Sequence, residues 1–183
     1  ILIIPGMLLA FTFHEYAHAL VADRLGDKTP RFQGRLTLNP ISHIDPIGFV
    51  AVLLFRFGWA KPVPIFIPTV IRNGGYKAAI HVSLAGIAYN FTLALICAGV
   101  LSFFQDLHQV NSYIEYFVVY FFIQSLIYNV VLGLFNLYPI PPLDGSHALT
   151  YLGMIMGWDG LVLLYESMER YGMLILILFI ATP

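Results

Sequence analysis

His14-Glu15-Tyr16-Ala17-His18 is the stretch whose residue types and spacing could do chemistry. On an α-helix, residues four apart differ by about 40° in azimuth, so His14 and His18 share one face and can offer two imidazole nitrogens to one metal ion. Glu15 stands one step round. That offset keeps its carboxylate off the metal and leaves it to accept a proton from water activated there, which is the chemistry of metal-assisted hydrolysis. Glu15 is also the only formal charge in residues 1–22. An ionisable group in so apolar a segment is costly to bury without a partner or a task.

A catalytic zinc takes three protein ligands and keeps a fourth position open, so one ligand must come from elsewhere. Asp144 is the leading candidate, being the only carboxylate in residues 116–156 and following Pro139-Ile140-Pro141-Pro142. Those prolines cannot continue a regular helix. Open backbone at membrane depth is tolerated only where it is buried in protein or lines a watery cavity, which places Asp144 beside one. Its alternative use is as a helix N-cap in the Leu143-Asp144-Gly145 turn. His147 is close enough in sequence to reach the metal or the groups behind it, His43 could pair with Asp45, and His81 and His108 fall near span ends. None of these displaces Asp144. Glu166 and Glu169, the only downstream glutamates, read as solvent-facing.

The elements that must position these residues follow from composition. Hydrophobic residues make up 59% and charged residues 10% of the 183, against about 25% charged in soluble domains. This is the balance of an integral, multi-pass membrane protein in contact with the bilayer. A formal net charge of −1 gives no indication of a nucleic-acid partner. Cys97, alone in an apolar run, reads as packing, and the oligomeric state is left open. Transmembrane spans are expected at about residues 1–22, 78–104, 116–138 and 160–182, with short segments at about 46–55 and 145–157, all in one membrane-embedded domain over residues 1–183. The first apolar run has no basic flank before it and is expected to stay as a span, not to be cleaved as a signal.

Residues 33–40 alternate like a short strand, and residues 46–55 are too short to span, which suits a re-entrant, interfacial or β-like segment. Eight of the nine basic residues fall between the first two spans, so that region is expected on the cytoplasmic side, with the active site near that face. The fold class is therefore all-α and polytopic, a helical bundle with a broken helix at the site. Asn90, the polar exception in the second span, is expected either to fix helix packing or to serve the site.

The His14-Glu15-Tyr16-Ala17-His18 motif, with Asn136-Leu137-Tyr138-Pro139 and Leu143-Asp144-Gly145 late in the chain, resembles the site-2 protease family of intramembrane zinc metalloproteases. Gly34-Arg35-Leu36-Thr37-Leu38-Asn39-Pro40, His43-Ile44-Asp45-Pro46-Ile47-Gly48 and Trp59-Ala60-Lys61-Pro62-Val63-Pro64 resemble its compact bacterial and archaeal branch. The resemblance implies one Zn2+ per chain on His14, His18 and Asp144, Glu15 as catalytic base, and Asn136 near the scissile carbonyl. The implied substrate is a transmembrane protein, cleaved in a prokaryotic cell membrane; a non-catalytic membrane metal-binding protein of the same fold is the alternative. One departure stands out: the family often has Ala-Gly-Pro before the asparagine of its second core span, where this chain has Ala85-Gly86-Ile87 before Asn90. That leaves the helix geometry around Asn90 open.

Overall fold

A computed structural model describes residues 3–55, 58–104 and 112–181. The chain is all-α among the described residues, with eight α-helices and one short 3-10 turn in the order α1 (Ile4–Arg24), α2 (Thr29–Phe32), the 3-10 turn (Pro40–His43), α3 (Pro46–Phe55), α4 (Ile67–Leu101), α5 (Tyr113–Leu137), α6 (Asp144–Met156), α7 (Asp159–Glu169) and α8 (Gly172–Ala181). His108 lies outside the described residues.

Helix α4 is the centre of the bundle and packs against α1, α5 and α6, while α1 also packs against α5. Small residues set how closely they approach. Ala22 of α1 meets Val70, Ala78, Ala79 and Val82 of α4 in one buried cluster. At Gly6 of α1 a β-carbon would stand 2.8 Å from the Ser125 backbone nitrogen of α5, so only glycine permits that crossing.

Helix α4 begins at Ile67, well before the apolar run itself. It changes direction at Gly75, whose φ of +69° and ψ of −171° suit glycine alone. From there to Leu101 no other residue leaves helical geometry, so the absence of proline at Ile87 goes with an unbroken helix around Asn90. Helix α5 opens with Ser112, whose side chain accepts the Glu115 N–H as an N-cap.

Among the described residues, α4 and α5 are long and apolar enough to cross a membrane. Only 33% and 22% of their most apolar windows are buried within the protein. Much of the apolar surface faces outward, including Leu95, Ile96, Phe117, Ile127 and Val131. The stretch expected as a last span is two helices, α7 and α8, separated at Arg170 and Tyr171.

Two β expectations are corrected. Residues 33–40 form no strand: Gly34 turns the chain at φ +66°, and the Arg35 side chain is drawn inward to the carbonyls of Lys61 and Pro62. Residues 46–55 form helix α3, not a β-like piece, so their backbone groups are engaged within the helix. The β-pairing observed among the described residues is one isolated antiparallel bridge between Ile44 and Ala60.

Candidate metal centre

His14 and His18 stand one turn apart on the inner face of α1, and both are buried. Past the C-terminus of α5 the chain folds back through residues 138–143, where Leu143 N–H donates to the Ile140 carbonyl at 2.9 Å. The Tyr165 hydroxyl of α7 holds the Pro139 carbonyl at 3.0 Å. Gly145 makes this return possible, because a β-carbon there would run into the Leu137 carbonyl. Asp144 is the first residue of α6 and makes no side-chain cap; its carboxylate points at α1.

Three ligand-type atoms converge. His14 Nε2 lies 3.1 Å from His18 Nε2 and 3.1 Å from Asp144 Oδ2, and His18 Nε2 lies 3.2 Å from the same oxygen. A tetrahedral ion with bonds of about 2.0–2.1 Å sets its ligand atoms about 3.3 Å apart, so the triangle has nearly the size that zinc requires. The imidazoles are also turned correctly. His18 Nδ1 is 2.7 Å from the Val82 backbone carbonyl and His14 Nδ1 is 2.6 Å from Asn90 Oδ1, both acceptors. With the protons on Nδ1, both Nε2 lone pairs face the carboxylate, an arrangement that calls for a cation between them. These three residues could hold a metal ion.

Helix α4 comes close enough to back the site because residue 86 has no side chain. A β-carbon at Gly86 would sit 2.5 Å from His14 Cε1 and 2.5 Å from His18 Nε2.

Glu15, the residue after His14 on α1, accepts the Val63 N–H through Oε2 at 2.9 Å. The same segment is tied from behind, since the guanidinium of the buried Arg35 donates to the Lys61 and Pro62 carbonyls. Burial lowers the Arg35 pKa, partly offset by the Glu15 carboxylate.

The triad, Glu15 and Asn136 all border one cavity of about 810 Å³. Asn136 turns its Nδ2 back to the Leu132 carbonyl of its own helix at 3.0 Å. His147 lines the cavity outside the converging triad, with Glu166 and Glu169 also on its wall. His43 does not pair with Asp45: its Nε2 donates to the Thr37 carbonyl, while Asp45 accepts the Gly48 N–H at the start of α3. His81 is exposed.

Against known proteins, the chain is 37% identical over 183 residues to "Putative zinc metalloprotease YwhC" of Bacillus subtilis, covering 97% of this chain and 78% of that protein. The chain belongs to the site-2 protease family. Two further relatives of the family are both named "Putative zinc metalloprotease Rip2". The protein of Mycolicibacterium smegmatis is 33% identical and that of Mycobacterium tuberculosis 30%, each over 154 residues. The chain spans about four-fifths of the Bacillus protein but only 56% of the length of these mycobacterial ones. No protein-family model and no solved structure matches the chain.

Sequence reasoning missed several residues around the triad. Asn129 carried the same signal as Asn90, an amide in an uncharged apolar run, here residues 116–138. Val63 acts through its backbone, so its residue type carried no signal at all.

Proposed function

We propose that the chain is an intramembrane zinc metalloprotease that hydrolyses a peptide bond in or near a membrane-spanning segment of a protein substrate. The observation that carries this reading is the convergence of His14 Nε2, His18 Nε2 and Asp144 Oδ2 within 3.2 Å of one another, beside the cavity that Glu15 also lines. The relatives' names, each "Putative zinc metalloprotease", agree with it. In this reading His14, His18 and Asp144 hold one zinc.

When bound, zinc supplies Lewis acidity, bringing the pKa of water at the site to about 7 and polarising the scissile carbonyl. Glu15 does the proton work. Its Oε2 is held by the Val63 amide, so Oε1 is the oxygen that takes the proton as water attacks the carbonyl carbon. Glu15 then returns that proton to the amide nitrogen as the C–N bond breaks. Asn136, on the cavity wall, hydrogen-bonds the substrate once it turns from the Leu132 carbonyl, which helps to hold the polarised oxygen.

Membrane placement is supported by the outward apolar surface of α4 and α5. The basic residues gathered between residues 24 and 77 favour a site near the cytoplasmic face. A substrate helix must unwind to be cut, since a helix keeps its peptide groups bonded and shielded.

The deciding experiment measures zinc content and cleavage of a model transmembrane substrate in Glu15→Gln. Zinc retained with cleavage reduced by about 10²-fold or more is expected. Unchanged cleavage overturns the reading, and absence of cleavage in the parent protein with zinc bound favours the non-catalytic metal-binding alternative.

A further inference from the structure

Three polar residues deep between α1, α4 and α5 have no part in the hydrolysis: Asn90, Asn129 and Ser125 are each 0% exposed. The two amides form a directed chain that ends on the Ser125 backbone carbonyl, with the Ser125 hydroxyl outside it. Asn90 Nδ2 donates to the Ala10 carbonyl at 3.2 Å and to Asn129 Oδ1 at 2.8 Å, and Asn129 Nδ2 donates to the Ser125 carbonyl at 2.8 Å. Each amide nitrogen thus faces acceptors, which fixes which way each amide points. The atom Asn90 turns to His14 Nδ1, 2.6 Å away, is therefore its oxygen. An amide oxygen only accepts, so the His14 proton is on Nδ1 and its Nε2 lone pair is open.

His18 reaches the same state through a backbone carbonyl, that of Val82, which no side-chain substitution removes. His14 depends on side chains from two other helices. The dependence has a chemical edge, because the competing tautomer has a partner waiting. With its proton on Nε2, His14 would donate to Asp144 Oδ2 at 3.1 Å. A ligand nitrogen would become a donor, and the carboxylate beside it would be occupied.

We propose that Asn90, oriented by Asn129, is a positioning residue for metal capture: it holds the Nδ1 proton of His14 and so keeps Nε2 available to zinc. This rests on the reading of His14, His18 and Asp144 as the ligands.

The test uses the full chain in detergent and titrates zinc against a chelator. Asn90→Leu with Asn129→Leu removes both amides together and leaves neither of the two unpaired. Its zinc affinity is expected to fall about 10–100-fold, the usual effect of losing a partner behind a metal ligand. The thermal midpoint of its metal-free form is expected to stay close to the parent's. Asn90→Asp, buried and neutral, keeps a hydroxyl donor where Nδ2 was and an acceptor oxygen for Nδ1, and is expected to restore the affinity. Nitrogen NMR of 15N-histidine-labelled parent protein, with the His14 signals assigned from His14→Ala, needs no folded leucine variant and is expected to find Nδ1 protonated.

Parental zinc affinity in the leucine pair, alongside weakened binding in His14→Ala, overturns the proposal and leaves the ligand reading standing. So does an Asn90→Asp protein as impaired as the leucine pair, or a bare Nδ1. If His14→Ala itself binds zinc normally, the ligand reading fails and this inference fails with it.

Discussion

Gly86 of α4 lies so close to His14 of α1 that a β-carbon on it would stand 2.5 Å from Cε1 and 2.6 Å from Nδ1 of the imidazole. The same added atom would meet His18 Nε2 at 2.5 Å. No flexible side-chain end is available to yield, since both rings are held at Nδ1. Gly86→Ala should therefore displace the histidines or push α4 away from α1. Alanine is the better helix former by about 1 kcal/mol, so helix content should hold. Zinc content is expected to fall and cleavage to drop by about 10²-fold or more, as displacements near 1 Å do in catalytic sites. Metal analysis and circular dichroism on the same sample separate the two effects.

Metal removal should be felt in stability. The three convergent groups hold lone pairs towards one point, and binding confined to the folded state adds about 2.7 kcal/mol at a free zinc concentration one hundred times the dissociation constant. Chelation is expected to lower the thermal midpoint of the parent protein. Asp144→Ala, without the proposed third ligand, should show little response to the same chelator. An equal shift in both would remove Asp144 from the ligand set.

How much of this was legible follows from which interactions are local. The shared face of His14 and His18 is a matter of helix periodicity, readable over one turn. Asp144 was reachable because three prolines in four positions force a break, although its meeting with His14 is tertiary. The strand expected at residues 33–40 misread its pattern: Arg35 occupies an inward position as a buried cation held by carbonyls, and Gly34 turns the chain. Residues 160–182 span only if the amphipathic piece carrying Glu166, Glu169 and Arg170 joins the apolar run after it, and α7 and α8 instead part at Arg170 and Tyr171, just before Gly172. Val63 was invisible because a backbone N–H belongs to almost every residue.

Acid should weaken the end of α1 in a defined window. The Arg31 guanidinium donates to both carboxylate oxygens of Asp23, and that bond, against the opposing effect of burial, holds the Asp23 pKa down to about 2. Because the folded pKa is depressed, the stabilisation is fully present above the ordinary aspartate value of about 3.9 and is lost as pH falls through about 2. Asp23→Asn should lower the midpoint of the metal-free protein at pH 6. The difference from the parent should shrink between about pH 4 and pH 2 and vanish below that. A difference that stays constant over this range would show that Asp23 acts by packing instead of charge. Using the metal-free form keeps acid-driven release of bound zinc out of the comparison.

Arg35 sits behind the segment that touches the proposed base. Its guanidinium holds the Lys61 and Pro62 carbonyls, and the next residue, Val63, donates to Glu15 Oε2 at 2.9 Å. Arg35→Met keeps a long apolar stem but leaves those carbonyls without their donor, a loss on the order of 2–3 kcal/mol for hydrogen bonds to a charged group. The segment should loosen, and Glu15 should lose the contact that orients its free oxygen. Zinc affinity should be nearly unchanged, because the hydrogen bonds of His14, His18 and Asp144 go to one another, Asn90 and Val82 and not to this segment. The expected signature is a lower kcat with normal metal content and a lower thermal midpoint. Arg35→Lys should recover only part of it, since an ammonium lacks the planar fork that engages two carbonyls together. If Arg35→Met kept kcat while losing stability, the strap would be a structural tie with no bearing on Glu15.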